Sequence, residues 1–475
     1  MSSSINVNIK NSGKTYPLEL QLNDNSLKFK QLIQQITKIP IERQKILLKS
    51  GQLNNNDTLI SELNLKNNQI IMVLGSPELN LPIPPIFDKI IGKNSKPLFK
   101  PIEPIGLENL GNTCYLNSTI QILNNLENLE KKLNETQIIG EIGSNENLIY
   151  QLQKILKFLQ NPGKLKSIIP EQLITSLRYL YPQFNERDQY GRFKQQDAEE
   201  VFSQLLTSLT AVLGDEFIED FKINFKSTVK NLEDESDVEI KFESDLKLQC
   251  HITSQTNFLK NGIENSLNDS TIEKFSSNLN KNCNYQIDKK IVKLPKILTV
   301  QFVRFFWKKS TNKKSKILRK VTFPFQLDLN DLLDDQYKDS KIKIRDELRS
   351  LEKEKLNEIQ DFKKLKKSTV ESLEFLNAKN SKYLHKYKEI FPKDLSLGEN
   401  PSSLYELSAI ITHQGSSADS GHYQAFVKDK IDDSKWWRFN DDKVSIVDRE
   451  KIESLAGGGE SDSALILIYK GFGTE

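Results

Sequence analysis

One thiol, one well-framed imidazole and two carboxamides are the residues of this chain whose types and spacing suit acyl-transfer chemistry. Cys114 lies in Gly106-Leu107-Glu108-Asn109-Leu110-Gly111-Asn112-Thr113-Cys114-Tyr115-Leu116. Beyond Thr113 the apolar Leu116, Ile120 and Leu123 recur at helical spacing, and Asn112 and Thr113 are capping types, so Cys114 is predicted in the first turn of a helix. Free backbone N–H groups and the helix dipole stabilise a thiolate at such a position, so a lowered thiol pKa is expected. A lone intracellular cysteine otherwise packs as an inert small hydrophobe. A base is needed to distinguish the two.

The histidines are His251, His385, His413 and His422. His422 opens the strand pattern Tyr423-Gln424-Ala425-Phe426-Val427-Lys428; after a polar turn a second strand runs Trp436-Trp437-Arg438-Phe439 into Asn440-Asp441-Asp442. An antiparallel hairpin centred near Ile431 sets His422 across from Asn440, within reach of an amide oxygen. Strand alternation then puts Asn440 and Asp442 on one face and Asp441 on the other, so Asn440 is the orienter and Asp441 the weaker candidate. The backbone N–H of Cys114 and the side chain of Asn109 are candidate donors to an oxyanion, given a loop that Gly111 lets fold back. The commoner use of such an Asn is to cap its own turn.

These groups must be drawn together from far-apart segments by a large fold. The chain has 475 residues, enough for two or three domains, and its 67 basic and 64 acidic residues leave a net charge of only +3. That balance argues against general attraction to nucleic acid or membrane. No apolar run reaches the roughly 18 residues of a transmembrane helix, and a soluble intracellular protein is expected. Cys114, Cys250 and Cys283 cannot build a disulfide framework or a four-cysteine zinc site. Residues 1–76 read as strand–strand–helix–strand–strand, with turns at Ser12-Gly13 and Ser50-Gly51 and a helix stopped near Pro40. Five prolines between 77 and 100 mark a linker, and a second, larger unit fills 101–475 with no comparable break until about 338. Within it a charged insertion at about 338–398 carries Ile344, Leu348, Leu351, Leu356, Ile359, Phe362 and Leu365 at helical spacing, followed by a second helix from about Val370 to His385.

GLENLGNTCYLNSTIQIL resembles the cysteine box of the ubiquitin-specific proteases, and GHYQAFVKD with WWRFNDDKVS resembles their histidine box. QQDAEEVF, LPKILTVQFVRFFWKK and SALILIYKGFG resemble further motifs of that family in the same order, and GKTYPLEL, QKILLKSGQL and IIMVLG resemble ubiquitin itself. The resemblance implies an α+β architecture: a ubiquitin-like β-grasp domain, then a papain-like catalytic domain of thumb, palm and fingers without structural zinc. It implies Cys114 as nucleophile, His422 as general base and then acid, Asn440 as third member and Asn109 as oxyanion donor. Gln196, Asp197 and Gly421 would border the channel for ubiquitin's tail, although Asp197 alone reads as a charged helix start. Leu47 and Val73 fall where ubiquitin carries part of its exposed apolar patch, and the alternative is that they are ordinary strand residues.

No cofactor or metal is required. The implied partners are ubiquitin and its conjugates, with the proteasome regulatory particle met through the ubiquitin-like domain, and the implied location is cytoplasm and nucleus. The alternative is a weakly active ubiquitin-binding regulator of the proteasome. Lys308–Lys320 and His413–Ser420 resemble surface loops that cover the tail channel.

Overall fold

In the computed structural model the described residues are 4–74, apart from 12, 13, 38, 40, 42, 43, 49, 50, 54 and 56, and 103–474, apart from 269, 309–312, 365–368, 418, 419 and 460. The chain divides into two compact units, Met1–Ser95 and Lys96–Glu475. The expected linker at 77–100, the turn residues Ser12, Gly13 and Ser50, the helix stop at Pro40 and the stripe residue Leu365 fall outside the described residues.

In the first unit Ser4–Asn11 pairs antiparallel with Lys14–Gln21 and parallel with Gln69–Leu74, which in turn pairs with Lys45–Leu48. The helix Ser26–Thr37 lays Phe29 and Ile33 on that sheet, against Val7, Ile9, Ile46 and Ile71. This is the β-grasp arrangement. Val73 belongs to the same core and is fully buried, which removes it as a surface contact. The last strand points Ile71 and Val73 inward and Ile70, Met72 and Leu74 outward, so the exposed apolar face joins Leu47 to Met72, its register partner, and to Ile70 and Leu74.

The second unit packs helices against a ten-stranded sheet. Cys114–Asn124 sits among Asn145–Gln160 and Ala198–Leu213, with Leu116, Ile120, Leu152, Val201 and Leu205 in one core. The sheet path runs Lys247–His251, Ile297–Val303, Ser463–Gly471, Leu404–Ser417, Ser420–Lys428, Lys435–Asn440 and Lys443–Asp448. A separate four-stranded sheet, ordered Ser270–Ser276, Lys281–Lys293, Ile223–Asn231 and Val238–Asp245, forms the fingers. Its tip is held by Asp237, whose carboxylate accepts from Tyr285 Oη at 2.5 Å, Ser276 Oγ at 2.7 Å and Asn231 Nδ2 at 3.1 Å. Cys250 and Cys283 are buried singly.

The charged segment forms helices Asp335–Lys363 and Thr369–Ile390. Of the apolar stripe, Ile344 and Leu348 bury against Tyr383, Tyr387 and Phe472, and Ile359 is buried as well. Leu356 is half exposed, as the drift of the stripe requires.

Candidate active site

Cys114 is the first residue of its helix, as its flanks predict. Thr113 does not cap that helix through its side chain; its hydroxyl accepts instead from the Leu110 N–H at 2.9 Å, closing the loop in front of the cysteine. The sulfur is almost fully buried. Burial pushes the thiol up to about 11, the Asp441 carboxylate pushes the same way, and the backbone N–H groups of Tyr423, Tyr115 and Cys114 oppose them. The expected lowering is therefore reversed: the helix-end N–H groups act as predicted, but desolvation outweighs them. The Tyr423 N–H also ties the sulfur to the residue next to His422.

His422 Nε2 meets Asn440 Oδ1 at 2.6 Å. An amide oxygen can only accept, so Nε2 carries the hydrogen and Nδ1 keeps the free lone pair. The contact forms in a register different from the expected one. Ala425 pairs with Phe439 and Lys428 with Trp436, which centres the hairpin on Asp432. Continued outward, that register sets Asn440 opposite Gln424, and His422 is its diagonal neighbour on the same face, still within side-chain reach.

Asp441 overturns the alternation expected of it. It turns the chain between Lys435–Asn440 and Lys443–Asp448 with φ of 52°, a left-handed conformation that Asp tolerates. Its carboxylate thereby comes 3.9 Å from His422 Nε2. The same carboxylate accepts from Asn117 Nδ2 at 2.8 Å and Asn109 Nδ2 at 3.0 Å, and its backbone carbonyl accepts from the Leu107 N–H at 3.0 Å. Gly106 permits this approach: a Cβ there would lie 2.3 Å from the Asp441 carbonyl oxygen. Asp441 is thus the clasp between the cysteine helix and the histidine hairpin. The Asn at position 117 was the one cue to it, an amide one helical turn past the cysteine.

Asn109 also caps its own turn, accepting at Oδ1 from the Gly111 N–H at 2.9 Å and the Thr113 N–H at 3.3 Å. One amide hydrogen goes to Asp441, leaving the second for another acceptor. Asp197 caps Ala198–Leu213, accepting from the Glu199 N–H at 2.9 Å, which is its helix-start reading. Gln196 and Gly421 line one cleft of about 990 Å³ with Gly111, Asn112 and Gln195, and Asp197 is not among its walls. Among the described residues the buried amide nitrogens of Gln195 and Gln196 have no hydrogen-bond partner. Gly421 has φ of 143°, and a Cβ there would lie 2.2 Å from the Gln414 carbonyl oxygen.

Of the two expected loops, residues 309–312, 418 and 419 lie outside the described residues, and strands flank them. Phe305–Lys308 pairs with Lys313–Lys316, Ser315 bridges to Ser417, and Leu404–Ser417 continues as strand through the His413 segment to pair with Ser420–Lys428. Lys316 Nζ donates to the His413 carbonyl at 2.6 Å. The base is pinned by buried Arg304, which donates to the carbonyls of Ala464 and Arg319, both at 2.8 Å. His413 is fully buried between Phe305 and Tyr423, and burial, aided by Lys316 and His422, holds its pKa down at about 3.

A helix-borne thiol, a strand-borne imidazole and an amide that fixes its tautomer define a cysteine hydrolase of papain-like type. The family description "Ubiquitin carboxyl-terminal hydrolase" matches residues 105–469, and "Ubiquitin family" matches residues 7–78. Ubiquitin carboxyl-terminal hydrolase 6 of Schizosaccharomyces pombe is 36% identical over 98% of each chain. Ubiquitin carboxyl-terminal hydrolase 14 of Caenorhabditis elegans is 32% identical over 98% of this chain and 93% of its own. Ubiquitin carboxyl-terminal hydrolase 7 of Arabidopsis thaliana is 32% identical over 98% of each. The chain belongs to the ubiquitin carboxyl-terminal hydrolase family and is a thiol-dependent enzyme.

Proposed function

We propose that this enzyme hydrolyses the isopeptide bond after ubiquitin's terminal glycine, with Cys114 as nucleophile, His422 as base and then acid, and Asn440 and Asp441 as its two orienting partners. The observation that carries the reading is the corner where His422 meets Asn440 at 2.6 Å while the neighbouring Tyr423 N–H reaches the Cys114 sulfur. The thiol proton passes to His422 Nδ1 and the sulfur attacks the glycine carbonyl. The oxyanion takes the Cys114 N–H and the second Asn109 hydrogen. The C–N bond breaks as the imidazolium gives its proton to the departing lysine amine, and water then cleaves the thioester with His422 again as base. The Asp441 carboxylate supplies the negative charge that Asn440 lacks beside the imidazolium.

Ubiquitin's tail would lie in the cleft floored by Gln195 and Gln196, whose unpartnered amide nitrogens suit the carbonyls of an extended peptide. The ubiquitin-like domain would hold the enzyme at the proteasome, in cytoplasm and nucleus, with the exposed Leu47, Ile70, Met72 and Leu74 as its contact face. Cys114→Ala is expected to abolish hydrolysis of a ubiquitin C-terminal fluorogenic amide and to leave ubiquitin binding largely intact. Undiminished turnover in that variant ends the assignment.

The buried, protonated thiol favours a second feature, a low basal rate. Adding proteasomes should then raise turnover many-fold. No hydrolysis in either condition would favour a purely regulatory role.

A further inference from the structure

Beside the tail cleft lies a second cavity of about 570 Å³ that the proposed reaction has not used. The two share only Leu110 and Phe193 among their lining residues. Phe193 is a fixed partition: Asn112 Nδ2 donates to its carbonyl at 2.9 Å, and the guanidinium carbons of Arg178 and Arg187 lie 3.4 and 3.9 Å from its ring centroid. Both cavities touch the loop before Cys114 at Leu110; from there the tail cleft continues along Gly111 and Asn112, and the second groove along Ile169. Ile169 is held there because the Glu108 N–H donates to the Ile168 carbonyl at 2.9 Å, one residue from Asn109.

An isopeptide has two halves. If the acyl half reaches Cys114 along one side of the Asn109 loop, the amine half must lie on the other. We propose that this groove seats the leaving-group segment of the conjugate, the stretch of polypeptide around the modified lysine; this rests on the cleavage reaction proposed above. Its floor is apolar, from Leu110, Ile169, Ile174 and Phe193, with Ile169 58% and Tyr179 68% exposed at the rim. Glu171, also at the rim, makes no ion pair among the described residues, whereas the lining cation Arg178 is taken up by the Phe184 carbonyl and the Phe193 ring. The occupant this chemistry selects is a segment with an apolar side chain and a cation close to the modified lysine.

The test uses the full chain and three substrates: a ubiquitin C-terminal fluorogenic amide, whose leaving group is too small to fill the groove, and ubiquitin isopeptide-linked to a peptide flanked by Leu and Arg or by Gly and Ser. The wild type should prefer the Leu/Arg peptide in kcat/KM by roughly tenfold, the scale of one apolar anchor in a pocket. Ile169→Asp and Glu171→Lys, both on exposed positions, should erase that preference while holding the fluorogenic amide within about twofold of wild type. Equal rates on the two peptides in the wild type, or a preference kept by both variants, overturns the groove. A parallel loss on the fluorogenic amide also overturns it, assigning the groove to ubiquitin instead. A wild type inert on the amide refutes the parent reaction and not the groove alone.

Discussion

Two carboxylates in the catalytic unit do the same structural work in opposite settings. Asp237 at the fingertip gathers Asn231, Ser276 and Tyr285, which lie 6, 39 and 48 residues away and all belong to the fingers. Asp441 gathers Asn117 and Asn109, 324 and 332 residues away, and joins the cysteine helix to the histidine hairpin. One closes a sheet on itself where no metal-ligating cluster is found among the described residues. The other ties two distant elements together and stands 3.9 Å from His422 Nε2. A clasp within one element tunes local order, whereas a clasp between elements sets the geometry of chemistry, and the two should fail differently.

The largest effect is expected at Asp441. At about 4 Å and an effective dielectric near 20, a carboxylate stabilises an imidazolium by about 4 kcal/mol, so Asp441→Ala should lower kcat on the order of 10²- to 10³-fold. Asp441→Asn separates charge from position, since its amide oxygen can still accept one of the two carboxamide bonds. If Asn restores most of the rate, Asp441 acts only as a clasp and Asn440 suffices. If Asn is as slow as Ala, the charge is what His422 requires. Stopped-flow acylation with the fluorogenic amide reads the difference directly.

The candidate site was legible because each of its members sits inside a short, strongly patterned segment: a helix start flanked by capping-type residues for Cys114, and two aromatic-rich strands around His422 and Asn440. What alternation and length cannot convey is where pairing begins. Hence the hairpin centre falls one residue later than expected, and the His422–Asn440 contact survives only because diagonal neighbours on one face also reach each other. Asp441 was misplaced for a sharper reason. A single residue at φ of 52° breaks the two-residue period on which its outward face was inferred. Val73 shows the same weakness in the other domain, where the helix Ser26–Thr37, through Phe29 and Ile33, decides which side of the last strand is buried. The thiol pKa was expected with the opposite sign, because burial is a property of the closed fold and not of the helix start.

Acid sharpens the comparison at intermediate size. His413, buried beside the catalytic strand, has its pKa lowered from 6.5 to about 3, so the unfolded chain binds a proton that the folded one refuses. Stability from this source is full above pH 6.5 and is lost as pH falls toward 3, about 2 kcal/mol being gone at pH 5. The Asp237 carboxyl is held below its usual range by Tyr285 first, then Ser276 and Asn231, so its contribution persists until the pH drops below the ordinary carboxylate pKa. Hydrogen exchange at pH 5 should therefore find segment 404–428 less protected in wild type than in His413→Phe, with the fingertip strands equal in both. Equal protection in the palm would show that His413 is not the acid-sensitive group.

The smallest effect belongs to Asp237→Ala. Three donors that are themselves buried lose their acceptor, and the cost falls within the fingers, away from the catalytic corner. The strands around it remain paired along the full registers Tyr285↔Asn231 to Lys293↔Asn224 and Ser270↔Ile287 to Ser276↔Lys281. Faster amide exchange confined to residues 231–240 and 276–285 is expected, with KM for ubiquitin substrates raised on the order of threefold and kcat unchanged. Because the clasp is internal to the fingers, none of the disturbance should reach the bond between His422 and Asn440. A fall in kcat comparable to that of Asp441→Ala would erase the distinction between the two clasps, by showing that the fingertip also sets the geometry at the base.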